Sequence, residues 1–157
     1  MGADLYMNKT YKVNEKKYRP KLEKLMAEKA NYEDGSKEFK EARKKLLKLY
    51  NKLYNSDCYY RDSYNDGSLL WALGLSWWSD ITKLIDDEGN MSATMAREFI
   101  ELLEGAEITI SVNFQKQTSE DGWSHDDCVS HFEKRKVELL DFLKKCIDTE
   151  DTIGCSI

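Results

Sequence analysis

The chain contains one proline, two histidines and no apolar run approaching the roughly 18 residues that a membrane-spanning helix needs. The opening residues MGADLYMNKTYK are too polar for a secretory leader, so a cytoplasmic protein without a membrane association is expected. No glycine pattern suited to cradling phosphates occurs, and no Gly-x-Ser-x-Gly elbow. Cys58, Cys128, Cys146 and Cys155 form no CxxC pair and have no histidine at zinc-finger distance. Free thiols are therefore expected, with no metal and no other cofactor. The two histidines, His125 and His131, leave few groups that titrate near neutral pH.

Several short matches fail on inspection. Gly2 follows Met1 as in myristoylated proteins, but Tyr6 stands where that motif needs Ser or Thr. The glycosylation-like tripeptides at Asn8 and Asn90 have no secretion signal to bring them to the machinery. Around Asp86 the sequence resembles a calcium loop, yet Met91 occupies the glycine position and Arg97 that of the bidentate Glu.

Against these absences, 157 residues suffice for a single domain, 1–157, with a core of its own. Apolar residues make up 41% and charged residues 34%, too apolar for a disordered chain. The net charge of −5 conceals an asymmetry. Residues 1–55 carry 15 Lys and Arg against 8 Asp and Glu, a net of +7, whereas residues 56–157 carry 9 against 21, a net of −12. Either the two parts attract each other within the fold, or the basic end meets an anionic partner.

Periodicity predicts a mainly α protein of about five helices. Tyr18, Leu22, Leu25 and Met26 mark a first helix that starts close to Arg19, because Pro20 is tolerated only in a first turn. Ser36 caps a second helix through Tyr54, completing a hairpin. Asn55 to Gly67 reads as a structured loop. A third, central helix from Ser68 to Ile85 would bury Trp71, Trp77 and Trp78, with Gly74 admitting a neighbouring backbone. Ser92 caps a fourth helix that Gly105 stops. Residues 106–114 alternate as a strand does, although they also fit a continued helix, and a small β element joining them to the chain ends Leu5 to Met7 and Ile153 to Ile157 is expected. Gln115 to Gly122 reads as a mobile loop. Ser124 and Asp127 form a capping box for the last helix.

The densest chemistry lies in YYRDSYNDGSLLWALGLSWW, Tyr59 to Trp78, which holds three of the four tryptophans. Arg61 and Asp62 stand amid Tyr59, Tyr60 and Tyr64, so the guanidinium can lie on a ring, pair with a carboxylate or grip a ligand anion. Asn65, Asp66 and Gly67 suit a turn and cap, with a ligand loop as the alternative. Asp127 and His131 share a helix face and could act as base and orienter, although a surface hydrogen bond is the commoner use of such a pair. Lys40, Lys44, Lys48 and Lys52 recur every fourth residue at a small cost to the helix, with Glu38 and Glu41 as partial neutralisers. The negative net charge and the lack of alternating aromatics disfavour nucleic acid as their partner.

GADLYM at Gly2 to Met7, the Tyr59 to Trp78 segment and the ending IGCSI resemble a family of small bacterial proteins. Members begin GADLY and carry YFRDSYN, LLW and GLSWW in that order, with Tyr60 here replacing the Phe. The resemblance implies one domain and points to the central segment, but brings no activity, cofactor or partner.

The leading expectation is a non-enzymatic binding or regulatory module that uses Tyr59, Tyr60, Arg61, Asp62, Tyr64, Asn65 and Asp66 to hold a protein or a small anionic ligand. One alternative is a small hydrolase-like enzyme using Asp62 or Asp66 with Arg61, or Asp127 with His131. Another is an oligomeric structural protein that buries its tryptophans between copies.

Overall fold

The computed structural model describes residues 2–157. Strand β1 (Gly2–Met7) alternates as a half-buried strand should, with Ala3, Leu5 and Met7 buried. It pairs antiparallel with β2 (Tyr59–Ser63) on one side and β4 (Ile153–Ser156) on the other, and β3 (Asn90–Met91) closes the order β2-β1-β4-β3. The chain ends thus pair as expected, but their partners are 59–63 and 90–91 and not 106–114. Residues 106–111 are extended, and Ala106, Ile108 and Ile110 lie against the core while Glu107 and Thr109 face solvent. The alternation holds only that far, because Val112 to Phe114 are the first turn of a helix and Val112 is exposed. The extended stretch is anchored by Thr109 N donating to Ala72 O at 2.7 Å and Lys136 Nζ donating to Ala106 O at 2.8 Å, not by a strand ladder.

Helices α1 (Asn8–Lys29) and α2 (Lys37–Leu53) form the hairpin. α1 starts well before Arg19 and carries Pro20 internally, contrary to the expectation from the proline. The carbonyl that Pro20 cannot satisfy belongs to Lys16, which is exposed, so water can replace the lost donor. Ser36 caps α2 as expected, its Oγ accepting from Phe39 N at 3.1 Å. Leu22, Ala42, Leu46 and Leu53 are buried between the two helices and stand apart from the main core. α2 packs closely only on α1, so the hairpin is an arm on the body of the protein.

The expected long third helix breaks. α3 (Leu69–Ala72) ends after one turn, because Gly74 takes φ +67°, the left-handed conformation a helix terminator needs. Gly74 N donates to Trp71 O and Leu75 N to Leu70 O, satisfying two terminal carbonyls. Apart from its chain neighbours nothing lies within 4 Å of where a Cβ would stand, so the glycine serves backbone conformation and not the close approach that the sequence suggested. Ser76 then caps a π-helical turn, Trp77–Ile81, followed by a 3-10 turn, Thr82–Leu84.

Helix α4 (Ala93–Gly105) is capped by Ser92 and packs on α6 (His125–Asp148), whose capping box of Ser124 and Asp127 is present. The segment expected as a mobile loop is largely α5 (Val112–Glu120), capped by Ser111 and held to α6 by Phe114 stacking near His131 and Phe132. The helices therefore outnumber the five expected. The core joins Leu5 and Met7 of the sheet to Leu70, Trp77, Phe99, Leu103, Phe132, Leu139 and Leu143.

All four cysteines are unpaired. Burial, followed by the negative charge of Asp151 for Cys146 and of Asp86 for Cys155, pushes both thiols up to about 12. Burial also raises Cys58, and Cys128 is fully buried. A disulfide-exchange reagent at about pH 8 should find no fast thiol in the native protein and four after denaturation, since the thiolate is the reactive form. A rapid native reaction at Cys146 or Cys155 would refute this.

Candidate functional site

The Tyr59 to Asp66 segment is a strand and turn, and strand geometry divides its residues between two faces. Tyr60 and Asp62 point inward; Tyr59 and Arg61 point outward. Arg61 and Asp62, neighbours in sequence, therefore cannot act together on one ligand.

Asp62 is 2% exposed and saturated with donors. Its carboxylate accepts from Ser68 Oγ at 2.7 Å, Leu69 N at 3.0 Å, Leu70 N at 3.3 Å, Trp77 Nε1 at 3.1 Å and Arg135 Nη2 at 3.1 Å. The backbone donors are those left open at the start of α3, so the carboxylate fastens that turn to the sheet. Arg135, from α6, also donates to Arg61 O at 2.7 Å and Tyr60 Oη at 3.2 Å, with its guanidinium 5.4 Å from the Tyr60 ring centre. Burial, and secondarily the Asp62 charge, holds the Tyr60 phenol well above its ordinary pKa. Sequence reading missed Arg135 and the role of the Trp77 indole. No local signal could have found the arginine, 73 residues away.

On the outer face, Arg61 Nε lies 3.6 Å from Asp4 Oδ1, and Tyr59 Oη donates to the same Asp4 oxygen. Burial, then that hydrogen bond, raises the Tyr59 phenol. Rings of Tyr6, Tyr11, Tyr54 and Tyr59 contact one another in series, with Tyr50 stacked on Tyr54 at 6.0 Å. A hollow of about 420 Å³ opens among Asp4, Tyr6, Tyr50, Tyr54, Tyr59 and Arg61. The arm and the sheet meet here.

Beyond the strand, Asn65 Oδ1 accepts from Gly67 N at 3.1 Å and Ser63 Oγ at 2.9 Å, making the turn that the residue types suggested. Asp66 lies near Ser111, its Oδ2 3.4 Å from the hydroxyl. Tyr64 packs on Trp78 with ring centres 5.6 Å apart.

The tryptophans correct a second expectation. Trp77 is buried against Phe99, but Trp71 and Trp78 are 57% and 60% exposed. The break at Gly74 turns them away from the core. They border a cleft of about 410 Å³ whose remaining wall includes Tyr64, Leu70, Leu75 and Ser76. Such a cleft offers flat apolar surfaces with few polar groups, which suits binding more than bond-making chemistry.

In the second constellation Asp127 and His131 line one shallow hollow of about 490 Å³ with Trp123, Ser130 and Lys134, but no hydrogen bond joins them. Asp127 Oδ2 accepts from Ser124 N at 2.8 Å and Ser124 Oγ at 2.6 Å, which lowers its pKa and commits it to the capping box. His131 packs among Phe114, Trp123 and Phe132; burial, then Arg135, lowers its pKa. His125 Nδ1 lies 3.0 Å from Gln115 Oε1. Among the described residues no three His, Cys, Asp or Glu side chains are grouped as metal ligands would be, and no helix is long and apolar enough to cross a membrane. No family model matches the chain, and neither the curated proteins nor the solved structures show a significant similarity to it.

Proposed function

We propose that this protein is a non-enzymatic binding module whose recognition surface is the aromatic cleft of Tyr64, Trp71 and Trp78. The observation that carries the reading is the exposure of two tryptophans, 57% and 60%, around one cleft. A Trp or Tyr ring carries roughly 150–250 Å² of buriable surface, and such residues dominate binding energy when a partner covers them. The hydrolytic alternative needs Asp62 or Asp66 beside Arg61. Asp62 is instead enclosed by five donors on the opposite sheet face, and Asp66 leans on Ser111.

The test compares wild type with a Trp71→Ser/Trp78→Ser variant as bait in one native lysate, with proteins and small molecules both analysed. Because both rings are exposed, the variant should stay within about 1 kcal/mol of wild type in stability. It should lose a component that wild type and an Arg61→Ala control both retain. Equal retention by the tryptophan variant, or its unfolding, overturns the reading and returns the rings to a structural role. The exposed rings also favour self-association as a second reading. An oligomer seen by light scattering that this variant converts to monomer would give the cleft to a second copy.

A further inference from the structure

The arm presents a surface that the aromatic cleft does not explain. Between α1 and α2 lies a groove of about 580 Å³, floored by Met26, Phe39, Leu46, Leu47 and Tyr50. Leu47 is 61% exposed and Met26 47%. On α2 the residues Phe39, Arg43, Leu47 and Tyr50 follow helical spacing and form a stripe between the buried seam of Ala42, Leu46 and Leu53 and the lysine ladder. The charged residues that line the groove are Lys29, Arg43 and Asp34; at about 100° per residue Lys40 stands about 20° outside the stripe and Lys44 about 60°, while Lys48 falls on the far side of the helix.

Charge gives the second observation. Residues 8–54 carry 15 Lys and Arg against 7 Asp and Glu, a net of +8. Among the described residues, only Arg19 of those cations pairs with a carboxylate, Glu15. Every other ion pair lies outside 8–54. Glu38 and Glu41 therefore leave the lysine ladder unpaired, and no ion pair joins the basic arm to the acidic remainder. Inside the groove Lys29 Nζ lies 4.4 Å over the Phe39 ring and Tyr50 Oη lies 3.7 Å from the Met26 sulfur.

From this combination we propose that the arm is a second binding site, taking one acidic amphipathic helix of a partner protein as a third helix against α1 and α2. The apolar floor supplies the seat for the helix's apolar stripe, the mode in which amphipathic helices enter grooves. The unpaired cations on the rim select for carboxylates on the helix's flanks and speed the encounter. A phosphate track would need the cations without the concave apolar floor. A membrane surface would be met by a convex apolar face, not by one recessed between two helices.

The test uses the full chain and a labelled ~18-residue peptide with Leu at helical i, i+3, i+4, i+7 spacing and Glu elsewhere, followed by fluorescence anisotropy at about 0.1 M salt. A scramble of the same composition should bind at least about tenfold more weakly, as should the unscrambled peptide to a Met26→Ser/Leu47→Ser variant. Both replaced side chains are about half exposed, so circular dichroism should be unchanged. A Lys40→Ala/Arg43→Ala variant should lose affinity at low salt and little at high salt. The Trp71→Ser/Trp78→Ser variant should bind the peptide as wild type does, which keeps this site's failure separate from that of the cleft. Equal binding of peptide and scramble overturns the proposal, as does absence of peptide binding. So does preferential binding of phosphatidylserine vesicles or duplex DNA, or a self-association that Met26→Ser/Leu47→Ser abolishes.

Discussion

Replacing Asp62 by Ala should be the most damaging single polar substitution in this protein, costing about 3–5 kcal/mol, the range for stranding one partner of a buried ion pair. The carboxylate is the shared acceptor of a guanidinium, an indole, a hydroxyl and two backbone amides. Its removal leaves all five donors without that acceptor, and an unsatisfied buried donor costs about 1–3 kcal/mol. The estimate sits below the sum because a cavity that size can admit water and because contributions within one network do not add. Urea denaturation followed by circular dichroism reads the difference. A loss below about 1 kcal/mol would mean that the network carries little net stability.

The partner should matter less, and the asymmetry has a structural cause. Arg135 is one-quarter exposed in its side chain, and its Nε is already buried without a hydrogen-bond partner. Arg135→Met removes that uncompensated group and leaves Asp62 with four donors, so a loss of about 1–2 kcal/mol is expected, smaller than for a fully buried charge. The double variant should fall short of the sum of the two losses by roughly 0.5–3 kcal/mol, as directly contacting groups do. Additive losses would show that the two side chains act independently.

Asp62 also explains why the central segment was hard to read. A strand normally announces itself by apolar residues at every second position, but β2 places an aspartate at an inward position, where Tyr-Arg-Asp-Ser reads as loop. The information that makes Asp62 an inward residue lies in Trp77 and Arg135, out of reach of a local pattern. Helix starts were far more legible. Ser36, Ser92 and Ser124 act within three residues of themselves, and each caps as its position suggested. Gly74 was legible in a different sense. Its neighbours read as continuous helix, yet glycine is the residue that ends helices in the left-handed conformation, and three tryptophans hid that choice. Pro20 misled in the opposite direction, because packing between α1 and α2 and the exposed position of Lys16 let the helix run through it.

The candidate site was half legible for the same reason. Composition pointed to Tyr59 through Trp78, and both the buried network and the exposed cleft fall within or beside that segment. Which residues went to which depended on strand alternation at Tyr60 to Asp62 and on the turn at Gly74. The lysine ladder was visible as a pattern, but its lack of carboxylate partners was not, since Glu38 and Glu41 stand close enough in sequence to have neutralised it.

A second buried carboxylate carries the other large expected effect. α1 has no side-chain cap of its own: Met7 stands at the cap position and offers no acceptor. Asp151, 5% exposed, supplies one from the far end of the chain. Its oxygens accept from Lys9 N at 2.8 Å, Thr10 N at 3.1 Å and Thr10 Oγ1 at 3.2 Å. The carboxylate also meets the positive end of the longer arm helix. Its own amide donates to Cys146 O at 3.0 Å, so one residue fastens the start of the arm to the end of α6. Asp151→Ala should cost about 2–3 kcal/mol, a lost cap of about 1 kcal/mol combined with buried amides left unpaired. Asp151→Asn keeps one acceptor and should recover roughly half of that loss. Hydrogen exchange separates this effect from general destabilisation: Lys9 and Thr10 amides should lose protection first, followed by β1 and β4, while the α4 and α6 core keeps its order. If exchange instead rises uniformly, Asp151 is one more contributor to global stability and not the fastening between arm and body.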